Sequence, residues 1–139
     1  MGRVKGIASP RTRDLHQRII IRTCINMFPE MDEQGLDILA EALVTKNPFD
    51  RYPDIIVKAD EDTPVFVMEV TQGDGYYYDR RKCRILKQRF PDCEFYIYHY
   101  ERDILYHLAE DNTFLSSLDY VFCSPLFQRP VFDYVYRIG

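Results

Sequence analysis

A chain of 139 residues suits one domain and leaves no room for two ordinary ones. Its 46% hydrophobic and 29% charged residues give a globular balance and exclude a disordered chain. A net charge of −4 excludes a general polyanion binder, so any contact with nucleic acid needs a local basic patch. Residues 1–12, MGRVKGIASPRT, read as a flexible basic arm ahead of a single domain over 13–139. Asp14 then precedes LHQRIIIRTCINMF, where Leu15, Ile19, Ile20, Cys24, Ile25 and Phe28 recur at helical spacing, and Pro29 is expected to stop that helix. LDILAEALVT fits a strand or a short helix equally, and Asn47-Pro48 marks a turn. Pro53 to Lys58 is a short β-branched strand, turned by Asp60-Glu61-Asp62 into the nearly continuous apolar strand Pro64–Val70. Gly73 and Gly75 break the chain. A helix follows from about Tyr78 to Phe90, with Cys83, Leu86 and Phe90 on one face, and Pro91 ends it. EFYIYHY (94–100) alternates as a strand, DILYHLAED (103–111) pairs with it as a hairpin, and the tail holds short extended pieces parted by Pro125 and Pro130. A helix crossing between strands 64–70 and 94–100 makes a βαβ unit with a parallel pair, so the fold class is α/β, a mixed sheet flanked by helices.

The chemistry centres on two acids. Asp54 opens one strand and Glu69 lies near the end of its partner, with fourteen residues between them. That spacing, two strands and a tight turn, brings both carboxylates to one end of the sheet. A carboxylate within PVFVMEV is costly unless it is neutralised, paired or bound to a cation. Two hard oxygen donors there suit Mg²⁺ or Mn²⁺, with the Val70 carbonyl as a third ligand. Taken alone, the pair is better read as a turn-initiating Asp54 and a Glu69 that meets Arg80 or Arg81.

The order YPDIIV, VFVMEVTQGDG, YYDRRK and EFYIYHYERDILYHL, with LHQRII before it and SPLF after it, resembles the Uma-type restriction endonuclease family of the PD-(D/E)xK nuclease superfamily. The resemblance covers most of the chain and rests on order and spacing rather than on any one piece. It implies a restriction-endonuclease-like core, a divalent metal on Asp54 and Glu69, DNA as substrate and often a homodimer. It reverses the preference on the acid pair. The superfamily places a Lys two residues after the strand Glu, where this chain has Thr71. The Uma-type branch carries that Lys in the next helix, beyond an Asp matching Asp79. Laid on without gaps, the column falls on Cys83, with Lys82 beside it and Lys87 one turn later. Lys82 is turned by about 100° from Cys83, whereas Lys87 shares its face and has a long stem to reach along it. Both lysines are therefore carried as catalytic candidates with Asp54 and Glu69. Gln72 could polarise a water only weakly.

His16, on the first helix, is a candidate for orienting a phosphate or water, as the resemblance suggests. Tyr78, Arg80, Arg81 and Arg84 form a basic and aromatic helix face able to hold a phosphate backbone and stack bases. The competing reading of that face is a solvated surface paired with nearby acids. His99 reads as structural, and His107 lacks an acidic or Cys partner at ligand spacing. Cys24, Cys83, Cys93 and Cys123 form no CxxC pair, the N-terminus has no apolar signal core, and position 6 is Gly, against myristoylation. A cytoplasmic protein with reduced thiols and no membrane span is expected. The functional expectation is a metal-dependent endonuclease that hydrolyses DNA. The rival is a catalytically lapsed nuclease fold that binds nucleic acid or protein, and a plain oligomeric structural domain is third.

Overall fold

A computed structural model describes residues 10–40 and 53–138, with side chains from Leu15 onward in the first helix. Residues 1–9 of the basic arm expected over 1–12, and the Asn47-Pro48 turn, lie outside the described residues, whereas residues 10–12 belong to the first helix and not to an arm. Helix α1 (Pro10–Glu33) buries Ile19, Ile20, Cys24, Met27 and Met31. This stripe, stepping by three and four from Ile20, leaves Ile25 and Phe28 on the flank, both more than half exposed. Pro29 does not stop the helix. An interior proline costs about 3 kcal/mol, but the buried Met27 and Met31 on either side keep the last turn against the core. The helix ends at Gly35, whose φ of 73° suits glycine; Leu36 N–H donates to the Met31 carbonyl and Gly35 N–H to that of Asp32.

In the described part of the ambiguous segment, strand β1 (Asp37–Ala40) forms and pairs antiparallel with β2 (Ile55–Asp60). β2 pairs antiparallel with β3 (Thr63–Thr71), Ile55 facing Met68. Helix α2 (Gly75–Arg89) then crosses to β4 (Glu94–His99), which lies parallel to β3 with Glu69 beside Ile97. α2 begins three residues before the expected start, because Asp74 and Gly75 form its first turn instead of a break. β5 (Ile104–Leu108) and β6 (Phe114–Ser116) complete a six-stranded sheet in sequence order. At three residues, β6 is too short to show a period in sequence. The result is a mixed α/β sheet with one helix on each face.

The period of two in β3 sorts its side chains. Phe66, Met68 and Val70 join the core under α1, whereas Val67 joins the core under α2 with Ile56, Cys83, Leu86 and Ile97. Glu69 and Thr71 follow Val67 onto the α2 face. The tail forms a 3-10 turn (Val131–Tyr134) rather than extended pieces, and it straps onto α1. Tyr134 O–H donates to Glu30, Asn26 to the Tyr134 carbonyl at 3.0 Å, and Tyr136 N–H to Thr23 Oγ1 at 2.9 Å. All four cysteines are free. Among the described residues no helix is long and apolar enough to cross a membrane.

Candidate active site

β2 begins and β3 ends at the same end of the sheet, and there Asp54 and Glu69 lock each other. Asp54 N–H donates to Glu69 Oε1 at 3.0 Å, and Val70 N–H donates to Asp54 Oδ2 at 2.8 Å. Each carboxylate thus accepts from backbone beside or belonging to the other, which fixes both without a side-chain lever. Glu69 is 2% exposed and Asp54 9%. Both helices reach this end. From α1, His16 Nε2 lies 2.7 Å from the Val70 carbonyl and 3.5 Å from Asp54 Oδ2. A carbonyl can only accept, so Nε2 carries the proton and the tautomer is set. From α2, Lys82 Nζ lies 2.7 Å from Glu69 Oε2.

Asp79 completes the cluster. It hydrogen-bonds the Thr71 side chain and shares the field of Asp54, Lys82 and His16. Burial, reinforced by the Asp54 charge, raises its pKa to about 6. Burial also raises Glu69, to about 8; the charges of Asp54 and Asp79 add to this and Lys82 opposes it. Burial alone would pull Lys82 down, but Glu69, Asp54 and Asp79 together hold it above its ordinary value. Three acids therefore surround one lysine and one histidine, a buried cluster short of positive charge.

Of the sequence candidates, Asp54, Glu69, Val70, His16 and Lys82 come together here. Lys87 does not: its Nζ lies 3.3 Å from the Pro91 carbonyl and 3.6 Å from Glu110, in a different cleft toward the C-terminal end of α2. Sharing the face of Cys83 is what misleads, since Cys83 is wholly buried between helix and sheet. Arg80 and Arg84 stand about 160° around the helix from Lys82. Arg80 lies over the rings of Tyr76 and Phe114, and Arg84 over Phe114 at 5.1 Å with its Nε donating to the Asn112 carbonyl. Neither Arg80 nor Arg81 meets Glu69, whose cation is Lys82. Arg81 is exposed, and Tyr78 is half exposed near the start of α2. Asp79 and Thr71 were absent from the candidates. Their signals were the i, i+3 step from Asp79 to Lys82 and the two-residue step from Glu69 to Thr71.

Among the described residues no three His, Cys, Asp or Glu side chains form a ready metal-binding group. The donor chemistry nonetheless suits a hard cation. Asp54 Oδ1 accepts no hydrogen bond from the described residues, Glu69 Oε2 is paired with the Lys82 ammonium, and the cluster lacks positive charge. Compared with known proteins, the chain matches no family model and no curated protein.

Proposed function

We propose that this chain is a metal-dependent endonuclease of the restriction-endonuclease-like fold that hydrolyses DNA phosphodiester bonds, related to the Uma-type family its sequence resembles. The observation that carries the reading is Lys82 Nζ at 2.7 Å from Glu69 Oε2, beside an Asp54 and Glu69 already fixed by each other's backbone. This supplies, from α2, the lysine that the strand lacks at Thr71. Asp54, Glu69 and the Val70 carbonyl would hold the cation. The chemistry of Mg²⁺ or Mn²⁺ bound there is Lewis-acid stabilisation of phosphoryl charge and a lowered pKa for water. Lys82 positions the attacking water and offsets negative charge developing on the phosphate. His16 donates a hydrogen bond from Nε2 that steadies the Val70 carbonyl, while Thr71 hydrogen-bonds Asp79, whose charge helps to hold the Lys82 ammonium. The exposed Tyr78, Arg81 and the aromatic-backed Arg80 and Arg84 serve the flanking DNA. A homodimer and a cytoplasmic setting belong to the same proposal.

The rival reading, a lapsed nuclease that binds nucleic acid or protein, draws support from Thr71 at the usual lysine position. Nicking of supercoiled plasmid with Mg²⁺ or Mn²⁺ separates the two. The enzyme reading expects cleavage that chelator abolishes and that Glu69→Ala removes, since a metal ligand and its charge go together. Equal cleavage by wild type and Glu69→Ala, or none by wild type, overturns it.

A further inference from the structure

A cleft of about 420 Å³ opens beside the acidic end, on the α1 side of the sheet. Leu15, next to His16, forms one wall, and Gln72, two residues beyond Val70, forms another. Tyr100 lines it as well, its ring 6.5 Å from that of His16. The cleft therefore adjoins the place where the proposed scissile phosphate would sit. Its size lies within the range of small-molecule sites, ~300–1,000 Å³.

The lining restricts what can enter. Glu101 and Asp103 contribute carboxylates, and among the described residues no lysine or arginine lines the cleft. Asp103 is already committed to Arg137, whose Nε donates to it at 2.8 Å, and to the Tyr98 hydroxyl at 2.7 Å. Glu101 accepts from Gly73 N–H through Oε1 at 2.7 Å, leaving Oε2 as an acceptor without a donor among the described residues. An anion is repelled from such a wall, and a neutral group rich in N–H donors is favoured. Two further polar side chains have no hydrogen-bond partner among the described residues. The Gln72 side chain, exposed at the mouth, presents one amide donor face and one acceptor. Tyr100 is 95% buried, and its hydroxyl has no hydrogen-bond partner among the described residues. A buried hydroxyl left unpaired is costly, so a ligand that satisfies it gains by that amount.

We propose that this cleft is a subsite for a nucleobase bearing an exocyclic amine, adjoining the phosphate site at Asp54 and Glu69. The inference rests on the nuclease reading in taking a nucleic-acid strand as the ligand. The amine of adenine, cytosine or guanine donates to Glu101, and the Gln72 amide and Tyr100 hydroxyl serve the neighbouring ring nitrogen or carbonyl. Thymine and uracil carry no exocyclic amine and set a carbonyl against the Glu101 carboxylate, so the cleft discriminates against them.

The test uses neutral nucleosides, which carry no phosphate and need no metal. The whole chain is titrated with deoxyadenosine, deoxycytidine and thymidine while the amide resonances of Gln72, Tyr100 and Glu101 are followed by NMR. Deoxyadenosine and deoxycytidine should shift these resonances and thymidine should not. Gln72→Ala and Tyr100→Phe should each weaken binding about five- to tenfold. Tyr100→Phe removes a hydroxyl that no described residue hydrogen-bonds, so the fold and thermal midpoint stay intact. Equal shifts with all three nucleosides, no shifts at all, or unchanged affinity in both variants overturn the proposal. Binding of argininamide in place of any nucleoside also overturns it and makes the cleft a dock for a cationic protein segment. A protein that cuts DNA but shows no nucleoside preference loses the subsite and keeps the nuclease reading. One that binds the nucleosides but cuts nothing does the reverse.

Discussion

Lys82 and Lys87 lie five residues apart on one helix and meet opposite fates. Lys82 faces a Glu69 whose side chain is 2% exposed, at 2.7 Å; Lys87 faces a Glu110 whose side chain is 95% exposed, at 3.6 Å. The lysines themselves are similarly covered, at 11% and 17%. What separates them is therefore the partner. An exposed glutamate keeps its water and gives a pair worth little, whereas a buried one has lost its water and depends on the cation beside it.

The largest effect expected from this contrast is on stability. At pH 8.5, where Glu69 is ionised, Lys82→Ala strips the cation from a buried carboxylate and should cost about 3–5 kcal/mol in urea unfolding. Lys87→Ala should cost no more than about 1 kcal/mol. Equal losses would erase the distinction between the two ends of α2.

The next effect is on pH dependence in chelator. Glu69 is raised from 4.5 to about 8 and Asp79 from 3.8 to about 6, both chiefly by burial. Between the ordinary and raised values the native state holds protons that the unfolded chain has released, so stability falls as pH rises. The fall should run from about pH 4 to 6 for Asp79 and on to about pH 8 for Glu69. Glu69→Gln keeps the shape without the charge. It should flatten the fall between pH 6 and 8 and be the more stable protein at pH 8.5, by about 1–3 kcal/mol. A wild-type profile flat over pH 5–8 would contradict the buried-acid account.

Parts of this site were legible in the sequence because they follow from strand arithmetic. A turn between two strands of matched length puts Asp54 opposite Glu69, and the apolar run around Glu69 announces its burial. The choice of lysine was not legible. It depends on where α2 starts and how it rolls on the sheet, and both are set by packing. Gly73 and Gly75 read as breakers, yet Gly75 opens the helix because β3 and α2 approach closely there. Pro29 misled in the same way, its local penalty outweighed by Met27 and Met31. Asp79 went unchosen because a lone acid at a helix start is also an ordinary feature of helices.

That close approach gives a smaller and sharper test. A Cβ on Gly75 would stand 2.5 Å from Thr71 Oγ1. Gly75→Ala should cost roughly 1 kcal/mol, an overpacking penalty of about 1–3 kcal/mol partly offset by the entropy of the unfolded chain. Adding Thr71→Ala should recover part of that loss, because it removes the clashing oxygen. Strict additivity of the two changes in urea unfolding would mean that the approach of helix to strand does not hold Thr71 beside Asp79.

The proposed activity requires Lys82 to act with Asp54 and Glu69 on a phosphodiester. Its most direct test is the Mn²⁺-dependent rate of plasmid nicking by wild type, Lys82→Ala and Lys87→Ala, each first shown to be folded under assay conditions. Lys82→Ala should lose roughly 10²–10³ in rate, as on removal of a charge-stabilising donor, with Lys87→Ala unchanged. Full activity in folded Lys82→Ala, or the loss falling on Lys87→Ala instead, would contradict it.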